Sequence, residues 1–423
     1  MPRICLITPG HLSSNPRLVK EADALTQAGH HVSIICGHSF PAYENESKAF
    51  ADRHWHLVAQ VPFGQLAPRR LRWKQRLRQK LALLVCRLGL RSKPLAMRAW
   101  HPAGPELIRA ARSVYADLYI AHYTPALAAA VLAARHHSAA YAFDAEDFHL
   151  GDFPESKKFN LHRQLLHSLE SQWLPGASFI TAASPGIAEA YASTYKLSYP
   201  TVVRNTFPLA QAPKGPTPSG TAHPGPSIYW FSQTIGPNRG LESAVHALAL
   251  ARCHPHLHLR GFLSTAYRDQ LLSLAHSLSV VQQLHFHPPA PPEQMERLAA
   301  SYDVGLVAET GLPPNRRIAL TNKLFSYALA GIPILLSDIP AHRQIQSEAG
   351  QAVRLFRVED STSLAEALDG WLDAPPEVLA GARSAAYRLG QEYWNWDVEH
   401  QRLLKQIDQA LKDCPATNQP IHR

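Results

Sequence analysis

Residues 303–338, DVGLVAETGLPPNRRIALTNKLFSYALAGIPILLSD, gather Arg316, Arg317 and Lys323 around the start of a helix. Such a setting suits phosphate, because uncapped N–H groups and the positive dipole end attract an anion and neighbouring cations add charge. Residues 304–308 form an apolar run without alternation, as expected of a parallel strand covered on both faces. Glu309, Asn315 and the two arginines occupy the following loop. Thr321 stands at the expected N-cap, with Asn322 and Lys323 in the first turn. Gly331 and Pro333 end the helix, and residues 334–336 are the next buried strand. A further cation has a similar address. Arg239 directly precedes Gly240 at a helix start, after a strand near 227–232 and Gln233. A guanidinium there can bridge two phosphate oxygens.

The first strand-to-helix loop, residues 8–17, holds a single glycine, Gly10, where a dinucleotide fingerprint needs three. NAD and FAD are therefore disfavoured. Asn15 and Pro16 read as N-cap and first helical residue, which puts Arg17 in the first turn. His122 ends the strand of residues 117–121, a position suited to ligand contact, although a structural role competes in a chain with 24 histidines. Asp144, Glu146 and Asp147 follow the strand of residues 140–143. His254, His256 and His258 alternate, as metal ligands on one strand face would, but no fourth ligand accompanies them. No Asp-x-Asp pair occurs anywhere.

Residues 321–338, TNKLFSYALAGIPILLSD, resemble the nucleotide-sugar motif of retaining GT-B glycosyltransferases of family 4, approximately N-K-x-F-E-Y-x-x-x-G-x-P-V. NPRLVKEADALTQAGHHV at 15–32 is similar to the opening of those enzymes, and IYWFSQTIGPNRG at 228–240 to the start of their second domain. DLYIAH at 117–122 resembles their strand ending in a cleft histidine. YAFDAED at 141–147 is similar to their D-x-H-[DE], with Glu146 in place of the histidine. The resemblance implies an α/β GT-B fold: two Rossmann-like doubly wound domains facing across a cleft, with a C-terminal helix crossing back. It implies metal-independent transfer of a sugar, with retained configuration, from a UDP- or GDP-sugar to a glycan or lipid-linked acceptor in surface polysaccharide biosynthesis. The nucleotide sugar is a substrate, and no cofactor or metal is implied. Carried over residue by residue, the catalytic set is His122, Arg239 and Lys323. The donor set is Arg17, Gln233, Arg239, Gly261, Thr321, Asn322, Lys323 and Ser326. The acceptor set is Gly10, Asn15, Asp144 and Glu146. Ser326 replaces the family's Glu, which holds the donor ribose, and Ile318 replaces an earlier acidic residue. These departures keep a non-catalytic GT-B partner subunit open beside the enzyme, and a GT-B nucleotide-sugar epimerase is another alternative.

At 423 residues with 46% hydrophobic composition, the chain is long enough for two domains. The expected plan is an N-terminal domain at 1–207, a Pro- and Gly-rich linker at 208–226, a donor domain at 227–392, and a C-terminal helix at 393–423 returning to the first domain. Five scattered cysteines without a CxxC pair suit a reducing cytoplasm. No apolar run reaches membrane-span length, and Pro2-Arg3 leads straight into a strand. The formal charge of +9 is concentrated: residues 54–105 contain no Asp or Glu. Residues 69–93 begin RRLRWKQRLRQK and read as a basic amphipathic helix suited to the inner face of a cell membrane. Nucleic acid is disfavoured, since no recognition motif or stacking platform accompanies the charge.

Overall fold

The computed structural model describes all residues except 42–47, 49, 91, 155, 216–222, 224 and 414–423. The chain divides into two compact units. The first comprises Met1–Ala183, Ile187–Val203 and the chain from His400 onward; the second comprises Ser184–Gly186 and Arg204–Glu399.

The first unit is built on seven strands: β1 (Arg3–Thr8), β2 (His31–His38), β3 (His56–Pro62), β4 (Leu118–His122), β5 (Ala140–Ala145), β6 (Ile180–Ala182) and β7 (Thr201–Val202). Their order is β3-β2-β1-β4-β5-β6-β7, and every pairing is parallel. Ile4 to Ile7 and Leu118 to Ala121 are fully buried, which is why these strands read as unbroken apolar runs. The helix α1 (Pro16–Gln27) follows β1 and is capped by the Asn15 side chain, which accepts from the Leu18 N–H at 3.0 Å. The basic section expected over 68–113 resolves into three helices: α2 (Arg69–Arg87), α3 (Lys93–Trp100) and α4 (Gly104–Arg112). Gly89 at φ +95° and the prolines at 94 and 102 interrupt it. α5 (Thr124–His137), α6 (Asn160–Trp173) and α7 (Pro185–Tyr195) complete this half of the chain.

The second unit has β8 (Ser227–Ile235), β9 (His256–Leu263), β10 (Leu284–His287), β11 (Val304–Val307), β12 (Ile334–Ser337) and β13 (Val353–Phe356), in parallel order β10-β9-β8-β11-β12-β13. The helices α8 (Leu241–Leu250), α9 (Thr265–Ser277), α10 (Met295–Ala299), α11 (Asn322–Ala330), α12 (Pro340–Ala349), α13 (Ser361–Leu372) and α14 (Pro376–Glu392) alternate with these strands or follow them. β8 and β9 run three residues beyond the apolar runs that announce them. Their far ends pair across a register shift between Phe231 and Thr234, where polar, partly exposed side chains give no hydrophobic signal. Gly261, at φ +150°, sits in that irregularity, and a Cβ there would lie 2.3 Å from the Ser232 carbonyl oxygen.

The last helix, α15 (Trp396–Asp413), begins in the second unit and belongs to the first from His400. Trp394 anchors the preceding turn within the second unit: its ring meets Phe325 edge-on at 5.6 Å, and its N–H donates to Glu348 at 2.7 Å. Of the expected linker, residues 208–215 include a short turn at Leu209–Gln211. Residues 216–222 and 224 lie outside the described part.

Candidate functional site

In each sheet the strand order reverses at one point, between β1 and β4 in the first and between β8 and β11 in the second. Loops leaving the carboxyl ends of strands at such a reversal diverge, and the crevice between them is where doubly wound sheets bind ligands. Each unit carries a charged cluster at this address.

In the second unit, β11 runs into Glu309, and β8 runs into the loop that ends at Arg239 and Gly240. Gly240 is at φ +68°, and a Cβ on it would stand 2.7 Å from the Ala308 carbonyl oxygen, so this loop packs directly on the end of β11. The resulting cluster holds Arg239, Arg316, Lys323 and Glu309. Arg316 donates to Glu309 at 2.7 Å, the Lys323 ammonium lies 3.7 Å from the other Glu309 oxygen, and that ammonium also sits 5.3 Å from the centre of the Trp230 ring. The Arg239 guanidinium donates to the Ser232 hydroxyl at 3.3 Å. Burial pushes the Lys323 pKa down, Glu309 opposes that, and the charges of Arg239 and Arg316 add to the depression. Arg239 is lowered for the same reasons, burial first and then Arg316. Burial raises the Glu309 carboxyl, but Lys323 and Arg316 outweigh it and hold the pKa below the usual range. Three cations thus share one carboxylate in a partly dehydrated place.

Lys323 occupies the first turn of α11. Thr321 is its N-cap residue in backbone geometry, yet its hydroxyl does not cap the helix. No side chain therefore covers this end, where N–H groups point outward. Asn322 is half-buried beside it, and Gln233 is exposed on β8. Three expected donor contacts are placed elsewhere. Ser326 is fully buried and donates to the buried Glu296 at 2.7 Å, so its side chain serves the core. Gly261 is required by the close crossing of β8 and β9. Arg17 lies in the first unit with its guanidinium fully engaged. Glu309 is the residue that motif reading left out of the candidate set. Its position two residues beyond a buried strand was the available signal.

In the first unit, Arg17 forms a fork on Asp144, at 2.6 and 2.7 Å, and its remaining nitrogen donates to the Val203 carbonyl at 2.7 Å. Thr181 donates to the same carboxylate. His122 contacts Glu21 at 3.0 Å through Nε2, and Asp144 and Glu146 at 3.3 Å through Nδ1. Arg17, Glu21, His122 and Asp144 are all at least 97% buried. Burial disfavours the His122 imidazolium, but Glu21 and the hydrogen bonds from Asp144, Glu146 and Glu21 overturn this and raise its pKa well above 6.5. Glu21 is raised by burial, against the pull of His122. Asp144 is held far below the carboxylate range: burial would raise it, and Arg17 and His122 prevail. One ligand atom from each of Glu21, His122 and Asp144 lies within 4.8 Å of the others, which is metal-like spacing. The Arg17 fork already compensates Asp144, however, and the three are sealed from solvent. His122, Asp144 and Asn15 are thus internal, and Glu146 is the member that reaches the surface layer, with Tyr123 donating to it at 3.4 Å. Gly10 lines a cavity of about 530 Å³ with His11, Ser39, Phe63 and Arg76. His11 was not anticipated. Its Nε2 accepts from the Ser39 and Phe40 amides at 3.0 and 3.2 Å and shapes the cavity wall.

The alternating histidines also resolve differently. His254 lies in the turn before β9, while His256 and His258 face His285 and His287 of β10, at 2.9 and 3.0 Å between ring nitrogens. Burial and the neighbouring imidazoles push His258 down to about 3.

No family model matches this chain, and no curated protein sequence matches it. Solved structures do. HepE from Anabaena, in complex with UDP, is 13% identical, superposes with a TM-score of 0.68, and the match covers 96% of this chain and 100% of HepE. Sucrose-phosphate synthase from Thermosynechococcus elongatus is 16% identical at a TM-score of 0.71, covering 97% of this chain and 100% of the synthase. A glycosyltransferase from Rickettsia africae is 11% identical at a TM-score of 0.70, with 97% and 99% covered. At these identities the likeness establishes the fold: two Rossmann-like parallel-sheet units of the GT-B type.

Proposed function

We propose that this chain is a glycosyltransferase of the family 4 kind, moving a sugar from a UDP- or GDP-sugar to a glycan or lipid-linked acceptor with retained configuration and without a metal. The observation that carries the proposal is the cation excess of Arg239, Arg316 and Lys323 over Glu309 at the reversal of the second sheet, beside an uncapped helix start. The leaving group of sugar transfer is a nucleoside diphosphate whose negative charge grows as the glycosidic bond breaks. Buried cations and helix N–H groups aimed at that charge lower the barrier, because they are already oriented and partly dehydrated. Support also comes from the wording of residues 321–338 and from HepE, which has been solved with UDP and with UDP-glucose. Work at the cytoplasmic face of a membrane in surface polysaccharide synthesis completes the reading.

A second reading, a non-catalytic GT-B partner subunit, is favoured by one observation: Ser326, at the position of the ribose-holding acid, is committed to Glu296 inside the core. A thermal-shift panel of UDP-, GDP- and ADP-sugars separates the two, since a ligand that binds only the native state raises its melting point. The enzyme should show a shift with one nucleotide class and slow release of sugar from that donor. A flat panel with every nucleotide rejects the transferase and leaves the partner subunit.

A further inference from the structure

The helix α2 carries a feature that sugar transfer does not use. One of its faces is fixed to the first unit: Gln75, Ala82 and Cys86 are buried, Gln75 donates to the Pro62 carbonyl, and Arg78 forms a fork on Glu106. The opposite side bears Trp73, Leu77, Leu81, Leu84 and Leu88, which are 68, 39, 52, 52 and 75% exposed. At 3.6 residues per turn these five fall within about 80° of arc, so they form one continuous apolar stripe. Arg69, Arg76, Lys80 and Arg87 line one margin of the stripe, and Arg70 and Lys74 the other. No acidic residue lies within 54–105 to balance them.

We propose that α2 seats the first unit on the surface of an anionic bilayer. Over its 19 residues, a length of about 28 Å, the helix would lie in the headgroup plane, with Trp73 and the four leucines dipping toward the acyl chains and the marginal cations among lipid phosphates. Charge selects this occupant over a second copy of the chain, because two such stripes face to face would bring their cationic margins together. No helix among the described residues is long and apolar enough to cross a membrane, so the contact is peripheral. Arg76 belongs both to the margin and to the cavity beside Gly10, which sets that cavity next to the headgroups.

The test is co-sedimentation of the whole chain with vesicles of phosphatidylglycerol and phosphatidylcholine in equal parts, against vesicles of phosphatidylcholine alone. Binding should need the anionic lipid and weaken with salt. Leu77→Ser/Leu81→Ser/Leu84→Ser should lower vesicle affinity by about tenfold or more while leaving the melting temperature unchanged, since all three side chains are exposed. Arg70→Glu/Lys80→Glu should abolish the preference for anionic vesicles. The proposal is overturned if wild type does not sediment with anionic vesicles at low salt, or if the triple variant sediments equally. A dimer in gel filtration that the triple variant dissolves would also overturn it, assigning the stripe to a second copy.

Discussion

The two sheets reverse their order in the same way and place charge at the same address, yet the two clusters follow opposite logic. In the first unit Arg17, His122, Glu21, Asp144 and Glu146 satisfy one another, sealed from water. In the second, three cations share one carboxylate at a helix start that no side chain caps. A cluster that closes upon itself holds strands together, whereas one with charge left over awaits a ligand. The comparison assigns stability to the first site and anion binding to the second.

The largest effect should come from breaking the closed cluster. Arg17→Ala leaves Asp144 buried without its guanidinium, and urea unfolding should show a loss of about 3–5 kcal/mol. A cost under about 1 kcal/mol would mean the cluster is dispensable and the contrast false. Next, Lys323→Ala should lower kcat/KM by about 10²–10³-fold with little change in melting temperature. A smaller effect is expected from Ser326→Ala, which removes a donor from the Glu296 carboxylate. It should cost about 1–3 kcal/mol of stability and leave nucleotide affinity intact. Loss of affinity instead would return Ser326 to the donor site.

The pH dependence sharpens the same contrast. His122, with its folded pKa raised above 6.5, contributes stability that is present below 6.5 and lost as pH climbs through the folded value. His258, depressed to about 3, does the reverse: its contribution is complete above 6.5 and lost as pH falls toward 3, because the unfolded chain takes up the proton first. His258→Phe should therefore flatten the decline in stability between pH 7 and 4 by about 1 kcal/mol, read from melting curves across that range.

Most of the fold was legible because parallel strands buried on both faces are written as apolar runs, and because Gly29, Gly331 and Pro333 mark the helix ends. The additional length of β8 and β9 was hidden, since Ser232, Gln233 and Thr234 pair their backbones while their side chains stay polar. Lys323 and Arg239 could be found from helix-start chemistry. The engagement of Arg17 with Asp144, 127 residues away, could not. Neither could the His256–His285 and His258–His287 pairs, which depend on the register of two strands. First-turn chemistry identifies a cation but not its partner, and long-range partners decide whether a charge is consumed or available.

The most direct test of that availability is isothermal titration of UDP and GDP into wild type, Lys323→Ala and Arg239→Ala. The account predicts that one nucleoside diphosphate binds the wild type and that each substitution weakens it by about tenfold or more, with melting temperatures preserved. Equal affinity in all three proteins would place the diphosphate away from this cluster and contradict the account.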